Sequence, residues 1–145
     1  NDARRQRQMC IRDSIGSDQG LDLEGELINK ARDRSEAKEQ LMKMSGSTHT
    51  LITATTVAQD NNIIWKYVDR SKMHMRKLSE DLIKEYLNKV DDNILGLVGV
   101  YAIEEEGIKL FENIGSDLFS IQGISLIQLT QFLWDNNLLF ENNGT

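Results

Sequence analysis

Two long β-type runs joined by a short polar turn constrain this chain more than any other feature. Thr48 to Ala58 is rich in Thr, Ile and Val, and Ile63 to Met75 carries Ile63, Trp65 and Tyr67 on one face by alternation. Between them, Asp60-Asn61-Asn62 has the side chains that tolerate turn backbone. The pair predicts a β-hairpin of long strands, and the rest of the chain must pack around it. Upstream, Ile15-Gly16-Ser17-Asp18 reads as the end of a strand, and Leu21 to Ile28 alternates around Gly25 as a short hairpin does. A helix follows, capped by Asp33 or Ser35, with Ala37, Leu41 and Met44 at helical spacing and Gly46 where a C-terminal glycine belongs.

Ser79 predicts the N-cap of the next helix, with Glu80 and Asp81 near its positive end and Leu82, Ile83, Tyr86 and Leu87 as its apolar stripe. A glycine-containing segment, Gly96 to Tyr101, leads to the acidic run Glu104-Glu105-Glu106. Ile108 to Ile114 is apolar and fits either strand or helix. Leu126, Leu129, Thr130 and Leu133 mark a last amphipathic helix, and residues 141–145 form a polar tail. The order β, β, α, β, β, α, β, α predicts an α/β or α+β domain, a mixed sheet with flanking helices. No internal repeat or linker divides it.

The composition, 39% hydrophobic and 28% charged, is that of a globular chain. A net charge of -6 gives no footprint for wrapping DNA or RNA. No apolar run reaches the roughly 20 residues of a membrane helix. One cysteine, Cys10, excludes an internal disulfide. A cytoplasmic setting is the expectation. Asn1 to Ser14 carries four arginines and no periodicity. The end of this stretch, Gln8 to Ser14, resembles a translated transposon-end adapter. Residues 1–14 are therefore expected to be non-native, residues 15–140 to be the domain, and the chain to lack the start of that domain.

Several residues are candidates for chemistry. Asp18, after Gly16-Ser17 at a strand end, can accept a proton from water or hold a metal, or it can simply cap a turn. Lys30 can meet a phosphate oxygen if the hairpin brings it near Asp18, or be a solvated strand-end lysine. His49 and His74 have no His or Cys partner at zinc-ligand spacing and read as structural. The run Glu104-Glu105-Glu106 reads as a metal or base-recognition carboxylate, or as a solvated charge run. There is no Walker loop, no GxGxxG and no nucleophile elbow.

The order of several small motifs resembles one family. Ile15-Gly16-Ser17-Asp18-Gln19 resembles the I-G-S-D-Q of Maf-type nucleoside triphosphate pyrophosphatases. Gly25-Glu26-Leu27 with Lys30 resembles their G-E-I-x-x-K-P, and Met44 to His49 their L-S-G-x-x-H. Met75 to Ser79 with Ile83 and Tyr86 resembles F-R-x-L-S…I…Y. Gly99-Val100-Tyr101 through Glu104, then Gly107 to Glu112, resembles G-x-Y-x-x-E-G-x-G-I-x-L-F-E, and Gly123 to Leu126 stands where the family has G-L-P-L.

The resemblance implies a Maf/inosine-triphosphatase-like fold, of which this chain is the C-terminal part. It also implies hydrolysis of the α–β phosphate bond of a nucleotide with a divalent cation, Mg²⁺ or Mn²⁺. Asp18 matches the family's proton acceptor, and a metal can share that carboxylate. Lys30 matches the lysine on the phosphates. Gln19 and Glu104 match positions that sort the family by base, and they resemble the branch acting on 7-methyl-GTP, a house-cleaning activity. The dTTP/UTP branch and a non-catalytic regulator of cell division are the other readings. The partners implied are a nucleoside triphosphate and a second copy, since family members commonly form dimers, with no DNA, RNA or membrane.

Five departures stand out. The family's N-terminal S-x-S-P-R-R and its later A-x-x-K-A lysine are absent, Ala31 and Ser125 replace prolines, and Glu105 replaces a glycine. Without the phosphate loop, this chain alone is expected to be inactive or to aggregate through an unpaired sheet edge.

Overall fold

A computed structural model describes residues 13–140. Within them, β1 (Asp13–Leu23) and β2 (Glu26–Ile28) form the short hairpin, followed by α1 (Arg34–Met44). The long hairpin is β3 (Thr48–Gln59) and β4 (Asn62–Met75), and α2 (Glu80–Lys89) follows. Three 3₁₀ turns then lead to β5 (Phe111–Asn113), α3 (Leu118–Gln122) and α4 (Leu126–Asp135). The expected α/β order holds. The final helix stands where expected, and α3 is an additional short helix that ends at Gly123, whose φ of 130° an L side chain rarely adopts. Asp13 and Ser14, assigned above to the leading segment, continue β1 and pair with Gln59 and Ala58. The expectations for residues 1–12, Cys10 included, and for the tail 141–145 lie outside the described residues.

The sheet order is β2-β1-β3-β4-β5, and all four ladders are antiparallel. A mixed sheet was expected; no parallel ladder occurs among the described residues. The two hairpins account for two of the ladders, and β3 and β5 each join the outer side of an earlier strand in reversed direction.

The tips of the hairpins follow from their residues. Asp60 and Asn61 carry φ of 51° and 67°, the left-handed pair that a two-residue hairpin loop needs and that Asp and Asn tolerate best after glycine. Asn62 is therefore the first residue of β4 rather than part of the turn. A bulge follows: Ala58 faces Ile63 while Val57 faces Trp65. The extra residue breaks the alternation, so Ile63 does not share a face with Trp65 and Tyr67 as expected. Ile63 is 66% exposed, whereas Trp65 stacks on Tyr67 and on Phe132 of α4, the latter at 5.2 Å.

In β1, β3 and β4 the odd-numbered residues face the core. Leu21, Leu23, His49, Leu51, Val57, Met73 and Met75 are all buried, as the period of two requires. Against them α1 sets Ala37, Leu41 and Met44, and α2 sets Ile83, Tyr86 and Leu87. Full burial of each large apolar side chain contributes about 1.5–3 kcal/mol. Asp33 caps α1 through Glu36 N–H at 2.8 Å, and Ser79 caps α2 through Leu82 N–H at 3.2 Å. Gly46, with φ 69°, ends α1 in the left-handed turn its position predicted, and its N–H reaches the Arg76 carbonyl at 3.0 Å. Leu82, assigned to the apolar stripe of α2, is half exposed instead.

The edges bear on the expected aggregation. Only Leu21, Asp22 and Leu23 of β1 pair with β2, and only His74 and Met75 of β4 pair with β5. Over residues 13–20 the outer side of β1 has no partner strand among the described residues, and Ile15 on it is 53% exposed.

His49 is fully buried beside Tyr101 and Phe111, its Nε2 2.8 Å from the Tyr101 hydroxyl. This is the structural role its sequence position suggested. Burial pushes its pKa from 6.5 down to about 4, so the native ring stays neutral where the unfolded ring protonates. The unfolded state thus binds more protons between pH 6.5 and 4, and stability falls as pH drops through that window. The expected loss is up to about 3 kcal/mol. Urea unfolding at pH 7.5 and 4.5 measures it, and His49→Gln, which can keep a bond to Tyr101, should flatten the difference. An unchanged pH slope in that variant would assign the loss to other groups.

Candidate active site

The register of β1 and β3 decides what the free edge presents. Asp18 faces Ala54 and Gly20 faces Ile52, so these even-numbered residues lie on the side of the sheet opposite the core. The chain then turns through Glu24 and Gly25 into β2 and leaves it at Asn29-Lys30, back alongside Asp18. Asp18, Gln19, Lys30 and Val98 line two adjoining clefts, of about 620 Å³ and about 180 Å³. Ile52 and Ala54 floor the larger, and Gly96, Leu97 and Gly123 close the smaller. Asp18 and Lys30, named together in the sequence reading, thus line the same two clefts.

Both side chains are exposed. Asp18 Oδ1 accepts one hydrogen bond, 3.0 Å from Gln19 N–H, and the carboxylate has no ion pair among the described residues. Lys30 has none either, although Lys38, Lys43, Lys84, Lys89 and Lys109 do. A carboxylate and an ammonium on one cleft, neither held in an ion pair among the described residues, can activate water and neutralise phosphate.

Among the described residues, no cluster of three or more His, Cys, Asp or Glu could hold a metal. Mg²⁺ does not need one. It takes one or two carboxylates and completes its octahedron with water and substrate phosphates. The single exposed carboxylate of Asp18 fits that mode and does not fit an all-protein cage.

Gln19 points to the other face. Its Nε2 donates to Thr53 Oγ1, Ser120 O and Ile121 O, each at 3.1 Å, so the amide is used inside the protein. Ser17 Oγ donates to the Gly123 carbonyl, and Thr53 Oγ1 donates to Ser120 O at 2.8 Å. These side chains latch the C-terminal end of α3 against β1 and β3, which sets Gly123 at the cleft. Sequence reasoning missed Ser17, Thr53 and the Leu97-Val98 wall, because hydroxyls in a strand and valines in a glycine-rich segment carry no local signal of contact.

Glu104 lies apart from Asp18 and Lys30. It lines a separate depression of about 210 Å³ with Asp91 and Glu105. Leu97 borders both this depression and the smaller cleft. The departures from the family pattern are accommodated. Glu105 has φ of -120°, so no left-handed glycine is needed there. Ser125 has φ of -79°, which suits proline, yet its N–H donates to Thr55 Oγ1 at 3.0 Å, a bond proline cannot make. Ala31 packs into the core.

The fold and cleft define an α/β domain with a carboxylate and a lysine at a sheet edge. The chain belongs to the Maf family: the Maf-like protein family matches residues 3–136. It is 40% identical over 119 residues to a nucleoside triphosphate pyrophosphatase of Caulobacter vibrioides, covering 82% of this chain and 60% of the relative. It is 43% identical over 115 residues to a 7-methyl-GTP pyrophosphatase of Brucella suis, covering 79% and 58%. A 7-methyl-GTP pyrophosphatase of Bartonella quintana is 44% identical over the same length and coverage. The chain thus spans about three fifths of the length of the curated relatives it matches. No described helix is long and apolar enough to cross a membrane.

Proposed function

We propose that this chain carries the water-activating half of a nucleoside triphosphate pyrophosphatase site. The observation that carries this reading is the convergence of Asp18 and Lys30 on one cleft, neither of them in an ion pair among the described residues. Water attacks the α-phosphorus, the bond from that phosphorus to the bridging oxygen breaks, and pyrophosphate leaves with the electron pair. Asp18 accepts the proton of the water, and Lys30 neutralises charge on the triphosphate. A bound Mg²⁺ or Mn²⁺, with Asp18 as its protein ligand, would supply charge neutralisation on the phosphate oxygens.

7-Methyl-GTP is the substrate we favour. Asp91, Glu104 and Glu105 make an acidic depression next to the cleft, across Leu97. A nucleotide with its phosphates at Lys30 would lay its base toward that depression. The 7-methylguanine ring carries positive charge, and its N1–H and amino group suit a carboxylate acceptor. Gln19 then acts through the α3 latch rather than by touching the base.

The test is pyrophosphate release from 7-methyl-GTP, GTP, UTP and dTTP with Mg²⁺ or Mn²⁺. It is run on this chain and on the chain exchanged for the matching segment of the Caulobacter vibrioides relative. Preference for 7-methyl-GTP over GTP that drops about tenfold in Glu104→Gln supports the base assignment. Preference for UTP or dTTP keeps the reaction and removes that assignment. Lys30→Gln should raise KM at least about tenfold with a smaller change in kcat, since one charge-assisted contact to a phosphate contributes about 1.5–3 kcal/mol. An unchanged KM would take Lys30 off the phosphates.

A further inference from the structure

The wall of the cleft is held from behind by an unusual backbone. Gly99 and Val100 are successive left-handed residues, with φ of 81° and 61°. The first is required. A Cβ on Gly99 would stand 2.7 Å from both Leu21 Cδ1 and Tyr101 Cε1. The second is costly, because a β-branched residue at positive φ is strained unless its surroundings hold it there. Val100 is completely buried. Its carbonyl accepts a 2.6 Å hydrogen bond from the Tyr86 hydroxyl, and its N–H returns to the Leu97 carbonyl at 3.2 Å. Leu97 and Val98, immediately before this turn, are the residues that face Asp18 and Lys30.

We infer that Tyr86, from the buried face of α2, is a positioning residue: its hydroxyl fixes the Gly99-Val100 turn and thereby sets the Leu97-Val98 wall against which the nucleotide binds. This rests on the Asp18–Lys30 cleft being the nucleotide site. Tyr86 itself touches no substrate. Its ring is buried against the core, and the hydroxyl is the only tie from α2 to the Val100 carbonyl among the described residues. Without that tie the strained turn can relax, and small displacements at a binding wall weaken ligand contacts strongly.

Tyr86→Phe removes one oxygen and keeps the ring. Ile83→Val, on the same helix and in the same core, is the control for a general loss of packing. Affinity for 7-methyl-GTP and for UTP with Mg²⁺ is measured by calorimetry on the chain set in the matching segment of the Caulobacter vibrioides relative. Backbone amide shifts of Leu97, Val98 and Gly99 are followed by NMR without nucleotide. The expected result is about tenfold weaker binding and displaced amides in Tyr86→Phe, with neither change in Ile83→Val. Unchanged affinity in Tyr86→Phe overturns the inference and leaves the site assignment standing. An equal loss in both variants also overturns it, since the effect is then stability alone. Failure of the unaltered chain to bind either nucleotide overturns the site assignment, and the inference with it, while the amide shifts still report whether Tyr86 holds the turn.

Discussion

Asp18→Asn is expected to lower pyrophosphate release about 10³-fold, within the 10²–10⁴ range that a positioned proton acceptor contributes. The amide is nearly the same shape as the carboxylate. Its oxygen can still accept the Gln19 N–H, the one hydrogen bond Asp18 makes among the described residues, so the strand and the cleft should be unaltered. What is lost is the negative charge and the capacity to take a proton from water. The change should therefore fall on kcat, with KM steady or lower, since one charge opposing the triphosphate has gone. The readout is steady-state pyrophosphate release by the chain set in the matching segment of the Caulobacter vibrioides relative. Activity within tenfold of the unaltered protein would take the proton-acceptor role away from Asp18. A rise in KM at constant kcat would make it a binding residue only.

How much of this was legible in the sequence depends on the range of the interaction. Ser79, Asp33 and Gly46 were readable because a cap or a left-handed helix end is decided within four residues. The β3–β4 hairpin was readable for the same reason, its turn residues lying between two alternating runs. The bulge at Ala58/Ile63 was not, because an inserted residue leaves the local alternation of Ile63, Trp65 and Tyr67 looking intact. The meeting of Asp18 and Lys30 was half legible: the hairpin supplied proximity, while the sheet register that turns Asp18 away from the core appears only once β3 pairs with β1. The family resemblance placed Gln19 and Glu104 together by role. Tertiary contacts separate them, because Gln19 sits on the core-facing side of β1 and Glu104 beyond the Leu97 ridge. The cost of Glu105 in place of a glycine was a conformational question, and its φ answers it.

The other glycine of that segment meets a hard constraint, and Gly107→Ala is expected to destabilise the fold by about 3 kcal/mol or more. A Cβ on Gly107 would lie 2.5 Å from the Ala102 carbonyl oxygen, 2.9 Å from its carbon and 3.0 Å from its nitrogen. These are backbone atoms, so no rotamer change relieves the clash. The Ala102 carbonyl also accepts Glu105 N–H at 3.1 Å, and Ala102 and Ile103 belong to the core, which ties the opposing wall in place. The movable side is the 3₁₀ turn Glu106–Leu110. Shifting it pulls on Leu110, whose carbonyl receives Arg76 N–H at 2.8 Å, and on β5 directly after it. Gly96 provides the internal comparison. A Cβ there meets nothing within 4 Å, and its φ is not in the left-handed region, so Gly96→Ala should stay within about 0.5 kcal/mol of the unaltered chain. Urea unfolding of both variants at pH 7.5 separates the cases. A Gly107→Ala midpoint no lower than that of Gly96→Ala would mean that the 102–110 segment is free to move, and that close backbone packing is not why this position is a glycine.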